Sequence, residues 1–243
     1  REATGNGAMT RINLTGYLKP WVSAKDVILK AICGDIRFKY FYHDNCGTSE
    51  TTNAAIKECF GEYIIDVDHD DWIESCLLEI LFEIVNKHHP DVIGFESDRI
   101  TEQSKISLFT YKDDFVFSNK EEEIFLMFTS TRMHITHSST CIKKELLNGL
   151  RFFGYGYFAD TIIMRMISIK CSSVAYTSNI LYHRFWDLNS VSRKKQEDDI
   201  YISYFERLAN YSWLFKPNFY YPVFEDTMNI YIDSIAYSGY SKK

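Results

Sequence analysis

At 243 residues, 46% of them hydrophobic, the chain can bury one sizeable core, and its formal net charge of −6 argues against the basic face of a duplex nucleic-acid binder. Its 4 prolines against 17 Tyr, 18 Phe and 4 Trp exclude a long disordered linker. No apolar run reaches the roughly 18 residues of a transmembrane helix, no signal peptide is recognisable, and Cys33, Cys46, Cys59, Cys76, Cys141 and Cys171 include no CxxC pair. Reduced thiols and a cytoplasmic protein are therefore expected.

Residues 1–20 read as a leader or tag-like segment. Val27, Ile28, Ala31 and Ile32 predict a helix over 22–33, and the aromatic run RFKYFYH predicts a strand over 37–43. A turn follows, then a helix over 50–60 with Thr48 or Ser49 as its cap. Gly61 stops that helix and EYIIDV reads as a strand. Ile73, Leu77, Leu81, Ile84 and Val85 share one face of a long helix predicted over 72–89, which Pro90 ends before the strand DVIGFES. Residues 99–136 carry shorter, charged and aromatic patterns. Helices are predicted over 141–150 and 159–170, a strand over 172–185 and a helix over 197–215, ahead of a Tyr-rich end. Alternating helices and strands predict an α/β fold with a largely parallel sheet.

The unusual stretch is GEYIIDVDHDDW, in which Asp66, Asp68, Asp70 and Asp71 crowd together after an apolar run. Two unit charges about 4 Å apart repel by about 4 kcal/mol at the effective dielectric of a protein surface. Such a group needs full solvation or a cation. It lies at the C-terminal end of a predicted strand, the edge where open α/β sheets bind ligands. Carboxylates at i and i+2 suit a hard cation such as Mg²⁺ or Mn²⁺. An EF-hand needs Gly at its sixth and Glu at its twelfth position; counting from Asp66 gives Asp71 and Leu77, and from Asp68 gives Ile73 and Glu79, so neither frame fits. The plainer reading makes Asp70 or Asp71 the N-cap of the next helix, with the other charges favouring its dipole.

The order of motifs weighs toward chemistry. Asn45, Gly47, Asn53, Gly61-Glu62-Tyr63-Ile64 and Asp68-His69-Asp70-Asp71-Trp72 resemble the core of the family-2 glycosyltransferases, inverting enzymes of GT-A fold. CIKKELLNGLRFFGYGYFADTIIMRMI, with Asp160, and LYHRFWDLNSVSRKK, with Arg184, resemble two later segments of that family, so the likeness covers roughly residues 23–95 and 140–195. Asp66 takes a position that is apolar in the family, Thr52 one where Arg is common, and Ala159 one where Glu often precedes the base. The strand-helix-strand unit with which the family opens has no counterpart before Val22.

The resemblance implies a GT-A-like (Rossmann-like) mixed, mostly parallel sheet flanked by helices over 21–195, and a helical C-terminal extension over 196–243. It implies metal-dependent transfer of a sugar, with inversion, from a nucleotide-diphosphate donor (a UDP-sugar favoured) to a glycan or lipid-linked acceptor, in surface polysaccharide or related glycan synthesis. On it, Asp68 and Asp70 hold Mg²⁺ or Mn²⁺, Asn45, Asn53, Asp68 and Arg184 contact the nucleotide-sugar, and Asp160 is the catalytic base. His134 or His137 offers a further metal ligand or is an ordinary histidine. RKKQEDD at 193–199 is a solvated helix start or an acceptor-side segment. The Tyr-rich end packs into the core or touches the inner face of a membrane. The rival reading is a catalytically inactive GT-A-like relative acting as an interaction or scaffold subunit.

Overall fold

A computed structural model describes residues 34–42, 44, 46–68, 71–101, 105–107, 115–129, 137–152 and 159–185. The elements, in order, are α1 (Thr48–Glu58), β1 (Tyr63–Ile65), β2 (Trp72–Ile73), α2 (Leu77–His88), β3 (Val92–Ile100), β4 (Lys105–Ser107), β5 (Phe115–Ser118), α3 (Glu121–Thr129), a 3₁₀ turn (His137–Ser139), β6 (Thr140–Lys143), a second 3₁₀ turn (Lys144–Leu147), α4 (Ala159–Lys170) and β7 (Val174–Phe185). The leader, the helix over 22–33, the segment 193–199 and the C-terminal extension lie outside the described residues.

One sheet runs β1-β6-β3-β7-β2, with β4 on β3 and β5 on β7. Among the described residues β3–β7 is the one parallel pair and the other five pairs are antiparallel, so the sheet is mixed without being mostly parallel here. The reason is that β6 lies between β1 and β3 and runs against both. It follows that β1, β3 and β7 all point the same way.

Neighbouring strand residues feed opposite faces, as a pleated strand requires. Val92, Ile142 and Val174 join Ile124, Phe128, Ile163 and Ile167 on the side of α3 and α4. Ile93, Cys141 and Ala175 join Leu77, Leu81 and Ile84 of α2 on the other. The result is a sheet between two helical layers.

Four local expectations are corrected by the structure. RFKYFYH forms no strand among the described residues: Arg37 folds back so that its backbone N–H and Nε donate to Asp35 at 2.9 and 3.0 Å, and Phe41 and Tyr42 stay exposed. The cap of α1 is Gly47, at φ 83°, ahead of both Thr48 and Ser49; a positive φ is cheap only for glycine. Trp72 and Ile73 do not begin α2 but pair with His183 and Tyr182 of β7. That moves the helix start to Leu77 with Cys76 as N-cap, so neither Asp70 nor Asp71 caps it. CIKKELLNGL is a strand and a 3₁₀ turn rather than a helix, because Cys141 and Ile142 are drawn to opposite faces of the sheet. The helix over 159–170 and the buried face of α2 are as expected.

Candidate active site

The common direction of β1, β3 and β7 brings their C-terminal ends to one edge. β1 delivers Asp66 and Asp68 there. β6 starts at the same edge, so the turn before it adds His137 and Ser138. β3 and β7 continue further and carry Asp98, His183 and Arg184. α4 leads through a short turn into the opposite end of β7 and packs on the His137–Ser139 turn. Its first turn, with the exposed Asp160, therefore lies toward the edge where the acidic loop sits.

The acidic loop is held from β7. Between Phe95 and Ser97 the β3–β7 register shifts, and β7 bulges. Bulges commonly re-aim side chains near functional sites. After this one, Tyr182 turns toward the loop. Its hydroxyl accepts the Asp68 backbone N–H at 3.1 Å and donates to Asp71 Oδ2 at 2.7 Å. Asp71 Oδ1 accepts the Phe185 N–H at 2.9 Å, and the Asp71 N–H returns to the Asp68 carbonyl at 3.2 Å. Burial, with the Asp71 and Asp68 carboxylates adding, holds the Tyr182 phenol far above its ordinary range, so it stays a donor. The Asp68 side chain remains exposed.

Beside this loop sits a charged chain that the sequence reading missed. His183 has Nδ1 at 2.7 Å from Asp98 Oδ1 and Nε2 at 2.8 Å from Glu74 Oε1. Lys105 Nζ stands 2.8 Å from Asp98 Oδ2, and the pairing raises the lysine's pKa. Trp72 stacks on the His183 ring, centroids 5.4 Å apart. The available signal was Glu96 and Asp98 alternating in a strand that opens on an apolar run. A strand interior takes carboxylates only where partners meet them.

The other predicted site residues divide. Asn53 uses both ends of its amide on one backbone: Nδ2 donates to the Phe152 carbonyl at 2.8 Å and Oδ1 accepts the Phe152 N–H at 2.9 Å. It ties α1 to the segment after β6. Arg184 donates from a terminal nitrogen to Ser138 Oγ at 2.7 Å, which keeps it on the same edge. Asp66 faces His137 with Oδ2 and Nδ1 3.6 Å apart, above a cavity of about 30 Å³ otherwise lined mainly by apolar groups such as Ile56 and Leu147. Asn45, Asp70 and His134 lie outside the described residues.

Among the described residues no three His, Cys, Asp or Glu side chains converge as a metal cage. Mg²⁺ asks for less, since one or two carboxylates with water and substrate phosphates complete its shell. Asp68, an exposed hard-oxygen donor whose main chain is held by Tyr182, fits that requirement, and Asp70 follows two positions on in the sequence. No helix among the described residues is long and apolar enough to cross a membrane.

The family model for glycosyl transferase family 2 matches residues 24–150. The chain belongs to glycosyltransferase family 2. Within that family it is 26% identical over 165 residues to the cholesterol galactosyltransferase of Borreliella burgdorferi, covering 63% of this chain and 46% of the relative. It is 33% identical over 154 residues to an uncharacterized glycosyltransferase of Rickettsia typhi, covering 63% and 43% respectively. The chain thus spans about half the length of the curated relatives it matches. Among solved structures, residues 1–349 of TarS from S. aureus in complex with UDP-GlcNAc superpose with a TM-score of 0.60 at 15% identity, over 74% of this chain and 52% of that one. The complex of the same protein with UDP gives 0.56 at 14% identity, over 81% and 61%. These matches establish the GT-A-like fold of this family-2 chain.

Proposed function

We propose that this chain carries the catalytic core of a metal-dependent, inverting glycosyltransferase using a nucleotide-diphosphate sugar. The observation that supports it most is that Asp68, Asp71 and Arg184 stand at the edge where β1, β3 and β7 end, the edge toward which the first turn of α4, with Asp160, is directed.

The reading assigns roles as follows. Asp68 and Asp70 hold Mg²⁺ or Mn²⁺, and Asp68 also meets the nucleotide. When bound, the cation would neutralise charge developing on the leaving diphosphate. Arg184, already at the same edge, is the candidate for a phosphate oxygen. Asn45 is retained as a nucleotide contact; the engagement of Asn53 with Phe152 makes it a support for the site. Asp160 takes the proton of the acceptor hydroxyl. That oxygen bonds to the anomeric carbon on the face opposite the diphosphate, the carbon–diphosphate bond breaks, and the configuration inverts. A UDP-sugar is the favoured donor, consistent with the UDP-GlcNAc and UDP held by TarS. The acceptor is a glycan or lipid-linked hydroxyl in surface polysaccharide or related glycan synthesis.

Titration of UDP and then GDP, with and without Mn²⁺, tests this. Metal-dependent binding that disappears in Asp70→Ala is the expected result. Asp160→Asn should still bind donor but lose turnover by at least two orders of magnitude, the usual worth of a general base. Absence of binding to either nucleotide by folded wild type would overturn the reading in favour of a scaffold subunit.

A further inference from the structure

One strand holds Asp68 and Asp71 from more than a hundred residues away. The Tyr182 hydroxyl is bonded at once to the Asp68 main chain, 114 positions earlier, and to the Asp71 carboxylate, 111 positions earlier. The Phe185 N–H holds the other oxygen of Asp71. Asp70 falls, in sequence, between the two tethered residues. The Tyr182 ring is fully buried in the cluster that holds Leu77, Leu81 and Ile93, so the core sets its position. The phenol therefore links the hydrophobic core directly to the aspartate loop.

Resting on the glycosyl-transfer reading above, we propose that Tyr182 is a positioning residue that sets how Asp68 and Asp70 meet cation and nucleotide. Outer partners of this kind typically change metal affinity 10–100-fold when removed. Tyr182→Phe deletes only the hydroxyl and keeps the ring in the core. Asp71→Asn weakens the same link from the other end without emptying any space. Two changes in one linkage should not multiply.

The experiment is UDP titration in the presence of Mn²⁺ on wild type, Tyr182→Phe, Asp71→Asn and the double variant, with urea midpoints measured alongside. We expect Tyr182→Phe to bind UDP and Mn²⁺ roughly 10–100-fold more weakly, with a lowered urea midpoint but a fully folded native baseline and the double variant no worse than the weaker single. Binding within about twofold of wild type in Tyr182→Phe, or losses that multiply in the double, would overturn the proposal. Should wild type bind neither UDP nor GDP, the catalytic reading fails by itself. The tether is then judged by hydrogen exchange over residues 66–72. Faster exchange in Tyr182→Phe supports it, and an unchanged rate overturns it.

Discussion

His183 Nδ1 and Asp98 Oδ1 stand 2.7 Å apart across the parallel β3–β7 pair, with only 3% and 0% of their side chains exposed. A carboxylate this dry persists because partners replace its lost water: His183 on one oxygen and Lys105 on the other. Removing one member of such a group leaves the rest buried and uncompensated, at about 3–5 kcal/mol. Asp98→Ala should therefore lower unfolding stability in urea by about that much, and Asp98→Asn by less. The Glu50–Arg151 pair is the control, because its side chains are 41% and 55% exposed. Glu50→Gln should leave the midpoint unchanged within error, as exposed pairs do.

Asn53→Ala deserves the same urea measurement for a different reason. It strands the N–H and carbonyl of Phe152, whose side chain is buried. A loss of about 1–3 kcal/mol is expected from leaving such groups unsatisfied. Asn53→Asp, which keeps the acceptor and removes the donor, should fall between. A wild-type midpoint in Asn53→Ala would remove the tie between α1 and the Phe152 segment from the account.

Alkaline pH should destabilise the fold. Burial pushes the Cys141 and Cys171 thiols from 9.0 up to about 12. The Tyr63 and Tyr182 phenols shift upward as well, chiefly for the same reason. Above about pH 9 the unfolded chain releases these protons while the folded chain keeps them. The unfolded state then binds fewer protons, so stability falls as pH rises. Urea midpoints should drop progressively from pH 9 to 11. Cys141 and Cys171 peptides should resist iodoacetamide at pH 9 when folded, while the exposed Cys76 is labelled.

The face of α2 offers a test of packing. Leu77 is fully buried and Phe82 is 63% exposed. Leu77→Ala should cost about 2–5 kcal/mol through lost contacts and a residual cavity. Phe82→Ser should leave the urea midpoint near wild type. Equal losses at the two positions would contradict the orientation of the helix.

These contrasts mark what the amino-acid order reveals. α4 and the buried face of α2 were legible because their apolar residues recur at helical spacing over about three turns. The motif order from Asn45 to Asp71 identified the family without any coordinates. The four-residue β6 and two-residue β2 were hidden, because a pattern that short cannot distinguish strand from helix and only the neighbouring strands decide. In the site, Asp68 announced itself by its neighbours in sequence. His183 did not, since its partners Asp98 and Glu74 lie 85 and 109 residues away. Asn53 belonged to a family-like motif, yet its partner at Phe152 lies 99 residues on.

The bulged strand β7 also has a meaning in time. Every tether it gives the acidic loop spans 111 to 114 residues, so Asp68 and Asp71 cannot be tethered until β7 has been made. At a synthesis rate of about 5–20 residues per second, the aspartates wait roughly 5–20 s for Tyr182 and Phe185 to emerge. During that interval β1 and α2 exist without the strand that later fixes them. Tethering of Asp68 and Asp71 is thus a late event in the life of each molecule, set by the arrival of one strand.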